Sequence, residues 1–178
     1  MKIILISGKA EAGKTTTAQY LKDIINDRRN AAIVPYGQYV KDTAKMLFDW
    51  DGVKDEAGRA LLQTWGTDIV RHNDPNFWVD TVQRLAFVCR DMYDYFIIDD
   101  ARFPNEIDSW KNRVFNLPWD EVITIRVERP GWENSLTEEQ RQHPSETFLD
   151  DYDFDITISA TNIEELCQEI IDKVVPNI

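Results

Sequence analysis

The chain has 178 residues, 43% hydrophobic and 29% charged, enough for one well-buried domain and too few for two of ordinary size. Its 32 acidic against 20 basic side chains give a formal net charge of -12. That balance repels a nucleic-acid backbone unless a basic stripe intervenes, and the sequence holds none. A small phosphorylated ligand asks only for a few cations in one pocket, so a metabolite is the expected partner.

The run Ile3 to Ile6 is continuously apolar, as in a strand buried on both faces. A helix follows from about Lys14 to Asp27, with Ala18, Leu21, Ile24 and Ile25 on one face. Ala31 to Tyr36 reads as a second strand, and Gln38 to Met92 as mostly helical. Asp74 caps the last of these helices, with Pro75 at its first position and Val82, Leu85, Ala86 and Cys89 as its apolar face. Tyr95 to Ile98 is a third strand, ending in Asp99-Asp100, and a short helix follows Pro104. Val122 to Val127 is a fourth strand and Ile156 to Ser159 a fifth. Asn162 and Glu165 have capping-box spacing, and Ile163, Leu166, Cys167, Ile170, Ile171 and Val174 form the stripe of a last helix. Such alternation predicts a mainly parallel α/β sheet covered on both faces, with ligands at the carboxyl ends of its strands.

Cys89 and Cys167 lie in apolar helical patterns without metal-ligand spacing, and read as buried thiols in a reducing compartment. The opening run Met1 to Ser7 is too short for a secretory signal, and no apolar stretch approaches membrane-spanning length. The expectation is a cytoplasmic protein with no nucleic-acid or membrane partner; its oligomeric state stays open.

The segment Gly8-Lys-Ala-Glu-Ala-Gly13-Lys14-Thr15 fits G-x-x-x-x-G-K-[ST] in full, between a buried strand and an amphipathic helix. Its glycines let the backbone wrap phosphate oxygens, and the first amides of the helix point at the anion. Lys14 can bridge the β- and γ-phosphates of ATP, and the Thr15 hydroxyl can ligate Mg2+. Ala10, Ala12, Gly13 and Thr16 complete the expected cofactor contacts. Glu11 is the oddity, a carboxylate inside the loop that must turn to solvent or pair with a cation such as Lys9.

Phe96-Ile-Ile-Asp99-Asp100 has the form of a Walker B strand, whose carboxylate holds magnesium or its waters. The pattern does not decide between Asp99 and Asp100. Arg102 follows at the same edge. Arg59, Gln63, Thr67 and Arg71 recur every fourth residue as one polar strip, with Trp65 and Ile69 turned toward the core. The polar stretch between Arg129 and Glu146, opened by Pro130-Gly131 and containing Arg141 and His143, suits a closing lid.

Taken in order, Gly8 to Thr15, Gln63-Thr-Trp-Gly-Thr-Asp-Ile-Val-Arg71, Asn76-Phe-Trp-Val79, Asp100-Ala-Arg-Phe-Pro-Asn-Glu106 and His143-Pro-Ser-Glu146 resemble the phage-type deoxynucleoside monophosphate kinases of the adenylate-kinase-like P-loop group. The resemblance spans nearly the whole chain and implies one P-loop kinase domain over 1–178. Within it come a five-stranded parallel sheet with helices on both faces, a helical monophosphate-binding region over about 38–92, and a lid over about 129–146. It also implies transfer of the ATP γ-phosphate to a (deoxy)nucleoside monophosphate, in the host cytoplasm if phage-encoded. Carried over by position, Arg71 and Arg102 become monophosphate ligands, with Gln63, Trp65, Lys41 and Arg59 around them. In the mechanism implied, Thr15 and, through water, Asp100 hold magnesium, while Lys14, Arg102, Arg129 and Arg141 spread the developing charge. Two alternatives stand beside this reading: a P-loop kinase of another small metabolite, or a non-catalytic nucleotide-dependent switch protein, which Glu11 supports best.

Overall fold

The structure is a computed structural model, and it describes residues 1–112 and 119–178. Strand β1 (Lys2–Ser7) passes through the middle of the molecule, with Ile3 to Ile6 wholly excluded from solvent. Helix α1 (Lys14–Asn26) starts directly from the glycine loop and buries Ala18, Leu21 and Ile25. Strand β2 (Ala31–Ile33) ends earlier than its sequence suggests, because Tyr36 opens helix α2 (Tyr36–Phe48) behind the extended Pro35. Helix α3 (Glu56–Gln63), capped by the Asp55 carboxylate on Gly58 N at 2.8 Å, runs unbroken into a π-helical stretch over Thr64–Arg71.

Helix α4 (Phe77–Cys89) begins two residues after the expected Pro75. The Asp74 carboxylate accepts from Asn76 N at 3.0 Å within a turn, and so does not serve as the cap. Strand β3 (Tyr95–Ala101), helix α5 (Pro104–Lys111) and strand β4 (Glu121–Glu128) follow, then the one-turn helices α6 (Glu138–Arg141) and α7 (Pro144–Thr147). Strand β5 (Ile156–Ser159) leads to α8 (Ile163–Glu169), which continues as a π-helical turn over Ile170–Val174. Asn162 caps α8 through Glu165 N at 2.9 Å. The Glu165 carboxylate turns to Thr161 instead of closing the box on Asn162.

The five strands pair in parallel in the order β2-β3-β1-β4-β5, as the α/β pattern requires. One face packs α1 and α8 through Leu21, Ile25, Leu166, Ile170 and Val174. The other packs α2, α4 and α5 through Tyr36, Trp78, Val82, Ile107 and Trp110. Each fully buried Leu or Ile in these layers contributes roughly 1.5–3 kcal/mol relative to exposure. The apolar stripe of α8 is narrower than its spacing suggests, since Ile163 and Ile171 are exposed. Cys89 and Cys167 are half-buried free thiols rather than core residues. No helix among the described residues is long and apolar enough to cross a membrane.

Strand β3 sets the geometry of the ligand-facing edge. Side chains alternate along a strand, so Tyr95 and Ile97 face α1 while Phe96 and Ile98 face α2 and α4. Continued by two residues, the alternation sends Asp99 toward α1 and its loop, and Asp100 toward α2.

Candidate active site

The glycine loop joins β1 to α1 at the carboxyl edge of the sheet. Gly8 has φ of +156°, and a Cβ there would run into the carbonyl oxygen of Val127 on β4. Gly13, at φ +105°, precedes α1 in a conformation that a side chain disfavours. Lys14 is 8% exposed and donates to the carbonyls of Gly8 at 2.9 Å and Lys9 at 2.7 Å, inside the cradle it helps to form. Burial, then the nearby Arg102 charge, lowers its pKa from 10.5 to about 8. A phosphate entering the loop would restore the preference for the ammonium form.

The two aspartates do different work. The Thr15 hydroxyl donates to Asp99 at 2.8 Å, which joins the two groups a P-loop uses beside its metal. Asp100 accepts from Tyr36 N at 2.8 Å and Gly37 N at 2.7 Å, so it fastens the start of α2. Burial, reinforced by Glu106, raises the Asp100 pKa from 3.8 to about 6. The carboxylate expected to face magnesium is thus engaged by backbone amides, and its neighbour is the one in contact with Thr15. Thr15 and Asp99 suit Mg2+, which keeps most of its waters and takes few protein ligands. Among the described residues no group of three or more His, Cys, Asp or Glu could cage a metal by itself.

Beyond the loop lies a cavity of about 310 Å³ between α2, the π-helical stretch and the start of α5. Gln63, Thr67 and Arg71 line it together with Arg102, because the wider π-helical turn brings residues four and five apart to one side. Each arginine is held by a carboxylate. Arg71 pairs with Glu106, which is 1% exposed, and lies 4.3 Å over the Phe103 ring. The other Glu106 oxygen accepts from Arg102 N at 2.6 Å and Phe103 N at 3.1 Å, at the head of α5. Arg102 pairs with Glu146, whose second oxygen accepts from Ala10 N at 2.9 Å. Glu146 therefore bridges the phosphate loop and the cavity arginine. Lys9 joins the same network through the Glu146 carbonyl and Asp150.

The remaining expected ligands are scattered. Arg59 is exposed and outside the cavity, its Nε donating to Lys54 O at 3.1 Å; it lies one turn before Gln63 on α3. Lys41 is half-buried on α2 and also outside the cavity; its charge and that of Arg59 help burial to lower the pKa of Lys54. Trp65 donates to the Thr43 hydroxyl at 2.8 Å and meets Phe48 edge-on, away from the cavity. Ile69 is exposed rather than turned to the core. Arg129 stacks on Trp132 at 3.9 Å and, with Ala12, Gly13 and Thr16, borders a small compartment that reaches Asn162. Arg141 spends its guanidinium on Asn134 at 3.2 and 3.1 Å. Glu106 and Glu146 lie in conspicuous sequence blocks, but the spacing alone gives them no role. For Glu106 a signal existed: Pro104 and Glu106 occupy the first and third positions of a helix.

No family model matches the chain. A phosphomevalonate kinase of Drosophila melanogaster is 31% identical over 186 residues, covering 97% of this chain and 94% of that protein. Among solved structures, the APS kinase of Mycobacterium tuberculosis in complex with AMPPNP and APS aligns at a TM-score of 0.52 and 12% identity, over 96% of this chain and 95% of that one. A hexameric APS kinase from Thiobacillus denitrificans aligns at 0.50 and 14% identity, over 96% of this chain and 28% of that one. The solved structures bear on the fold, and that fold is the α/β P-loop kinase arrangement. The sequence relative bears on the family: this chain belongs to the phosphomevalonate kinase family, as a P-loop kinase that uses ATP with Mg2+ on a small-molecule substrate.

Proposed function

We propose that this kinase transfers the ATP γ-phosphoryl group to the phosphate of a small phosphomonoester, giving a diphosphate. The observation that carries the reading is the pair Arg71 and Arg102, lining one cavity beside the phosphate loop. Two guanidiniums converging there suit a doubly charged phosphate, which each can bind through a fork of donors. Phosphomevalonate is the first acceptor to test, on the strength of the family. A nucleoside monophosphate is the second reading, favoured by the sequence blocks and by one observation. An apolar compartment of about 730 Å³, framed by Pro75, Phe103, Pro104 and Phe148, adjoins the cavity at Thr67 and Arg71 and offers ring faces to a base.

In this reading the acceptor phosphate displaces Glu146 from Arg102, and its oxygen attacks the γ-phosphorus in line as the bond to the β-bridging oxygen breaks. A phosphomonoester is already a nucleophile at neutral pH, so positioning and charge stabilisation carry the catalysis. Lys14 and Arg102 face the transferring group, and Arg129 borders the donor. Asp99 and Thr15 take the metal role, supported by their mutual contact. When bound, magnesium neutralises charge on the β- and γ-oxygens.

The test is ADP formation from ATP and magnesium with phosphomevalonate and each common ribo- and deoxyribonucleoside monophosphate added singly. Stimulation by one acceptor, with the matching diphosphate formed and turnover cut on the order of 10²-fold or more in Lys14→Met, is the expected outcome. If no phosphomonoester stimulates while ATP binding is intact, the reading fails.

A further inference from the structure

Glu11 is a carboxylate in the phosphate loop for which phosphate binding gives no role. Its backbone adopts φ +62°, a left-handed conformation uncommon outside glycine, and this aims its side chain away from the loop interior. Both carboxylate oxygens then meet the segment that follows β4. The Ser135 hydroxyl donates to one at 2.5 Å. Ser135 N and the Trp132 indole donate to the other at 3.3 and 3.4 Å. The Ser135 hydroxyl is the largest influence lowering the Glu11 pKa, so the ionised form is the one this segment holds.

The contact reaches the donor site through one further residue. The Trp132 ring carries the Arg129 guanidinium at 3.9 Å. Arg129 borders both the compartment by Thr16 and Asn162 and a cavity of about 420 Å³ that it shares with Lys9, Ala12 and Trp132. A carboxylate facing the phosphates would oppose nucleotide binding. Turned outward, it instead ties the loop to the segment bearing Trp132.

We propose that Glu11 is a positioning residue that latches the Trp132–Ser135 segment to the phosphate loop, holding Arg129 against the bound nucleotide and slowing its release. The inference rests on ATP use, not on the identity of the acceptor. The latch opens for exchange when the Ser135 and Trp132 hydrogen bonds part, with no covalent change.

The experiment follows release of ADP labelled on its ribose with a methylanthraniloyl fluorophore, by stopped flow with magnesium and no acceptor. The variants are Ser135→Ala, Glu11→Gly and both together. Glycine accepts the left-handed backbone, and Ser135 lies on an exposed part of the surface, so neither change should disturb folding. Each single variant is expected to release the analogue about three- to tenfold faster, as loss of a charge-assisted hydrogen bond at an exposed site allows. The double variant should be no faster than the quicker single one, because both remove the same contact. In turnover, the KM for ATP rises more than kcat falls. Native release rates in Ser135→Ala, or effects that multiply in the double variant, would overturn the latch. Since no acceptor is present, failure here is separate from failure of the acceptor panel.

Discussion

Replacing Glu106 with glutamine keeps the shape of the side chain and removes one acceptor. In the native site, one oxygen faces the Arg71 guanidinium and the other faces the amides of Arg102 and Phe103. An amide side chain has one oxygen, so whichever way it turns, its NH2 group meets another donor. The Glu106 side chain is 1% exposed and that of Arg71 14%, so the mismatch is poorly relieved by water. Breaking a buried pair costs roughly 3–5 kcal/mol. Arg71 opens onto the cavity, which points to the lower end, about 3 kcal/mol. At about 2–4 °C per kcal/mol for a chain of this size, Tm should fall by about 6–12 °C. Urea unfolding followed by circular dichroism measures the free energy, and a thermal scan gives the midpoint. An acceptor phosphate can take over as counter-ion to Arg71, so saturating acceptor should narrow the stability gap, and by linkage the acceptor should bind the variant no more weakly than the native protein. A loss under about 1 kcal/mol would refute the claim that Glu106 is the anchor of this clamp.

Other outcomes follow from the same geometry. Lys14, lowered to about pH 8 in the empty loop, should take up about half a proton when ATP binds at pH 8. Calorimetry in two buffers of different ionisation heat measures it, and zero uptake would contradict the lowering of the Lys14 pKa by burial. Asp100 has a folded pKa above its unfolded value, so its contribution to stability is complete below about pH 4 and is lost as pH rises through about 6. Comparing unfolding free energies with Asp100→Asn from pH 4 to 7 should show this slope in the native protein alone; identical slopes would count against it. Asp99→Asn should raise the magnesium needed for half-maximal turnover by roughly 10–100-fold, while Asp100→Asn leaves that requirement unchanged. The reverse pattern would return the metal role to Asp100.

Much of the sheet could be read from sequence because its signals are local. The apolar runs of β1, β3, β4 and β5 and the glycine loop state themselves within a few residues. What failed depended on partners distant in the chain. Tyr36 reads as strand by composition, yet Asp100, far along the sequence, supplies the oxygens that start a helix there. The choice between Asp99 and Asp100 needs the strand's alternation together with the knowledge that α1 covers the Ile97 face. Arg59 shares α-helical spacing with Gln63, yet it sits one turn earlier on α3, where its Nε donates to Lys54 O, outside the cavity that Gln63, Thr67 and Arg71 line. The sequence blocks group Arg71 with Arg102, and the two side chains do line one cavity. Their carboxylate partners Glu106 and Glu146 needed the fold, because a holder is recognised by what it touches.

The central claim, that the phosphoryl group goes onto an existing phosphate, is tested by presenting the acceptor found in the panel with and without its phosphate. Phosphorus NMR of the reaction with ATP and magnesium should show the coupled doublets of a new diphosphate from the phosphorylated acceptor and no product from its dephosphorylated form. A singlet phosphomonoester product, or equal turnover of the form that lacks phosphate, would mean the acceptor atom is a hydroxyl and that Arg71 and Arg102 clamp something else.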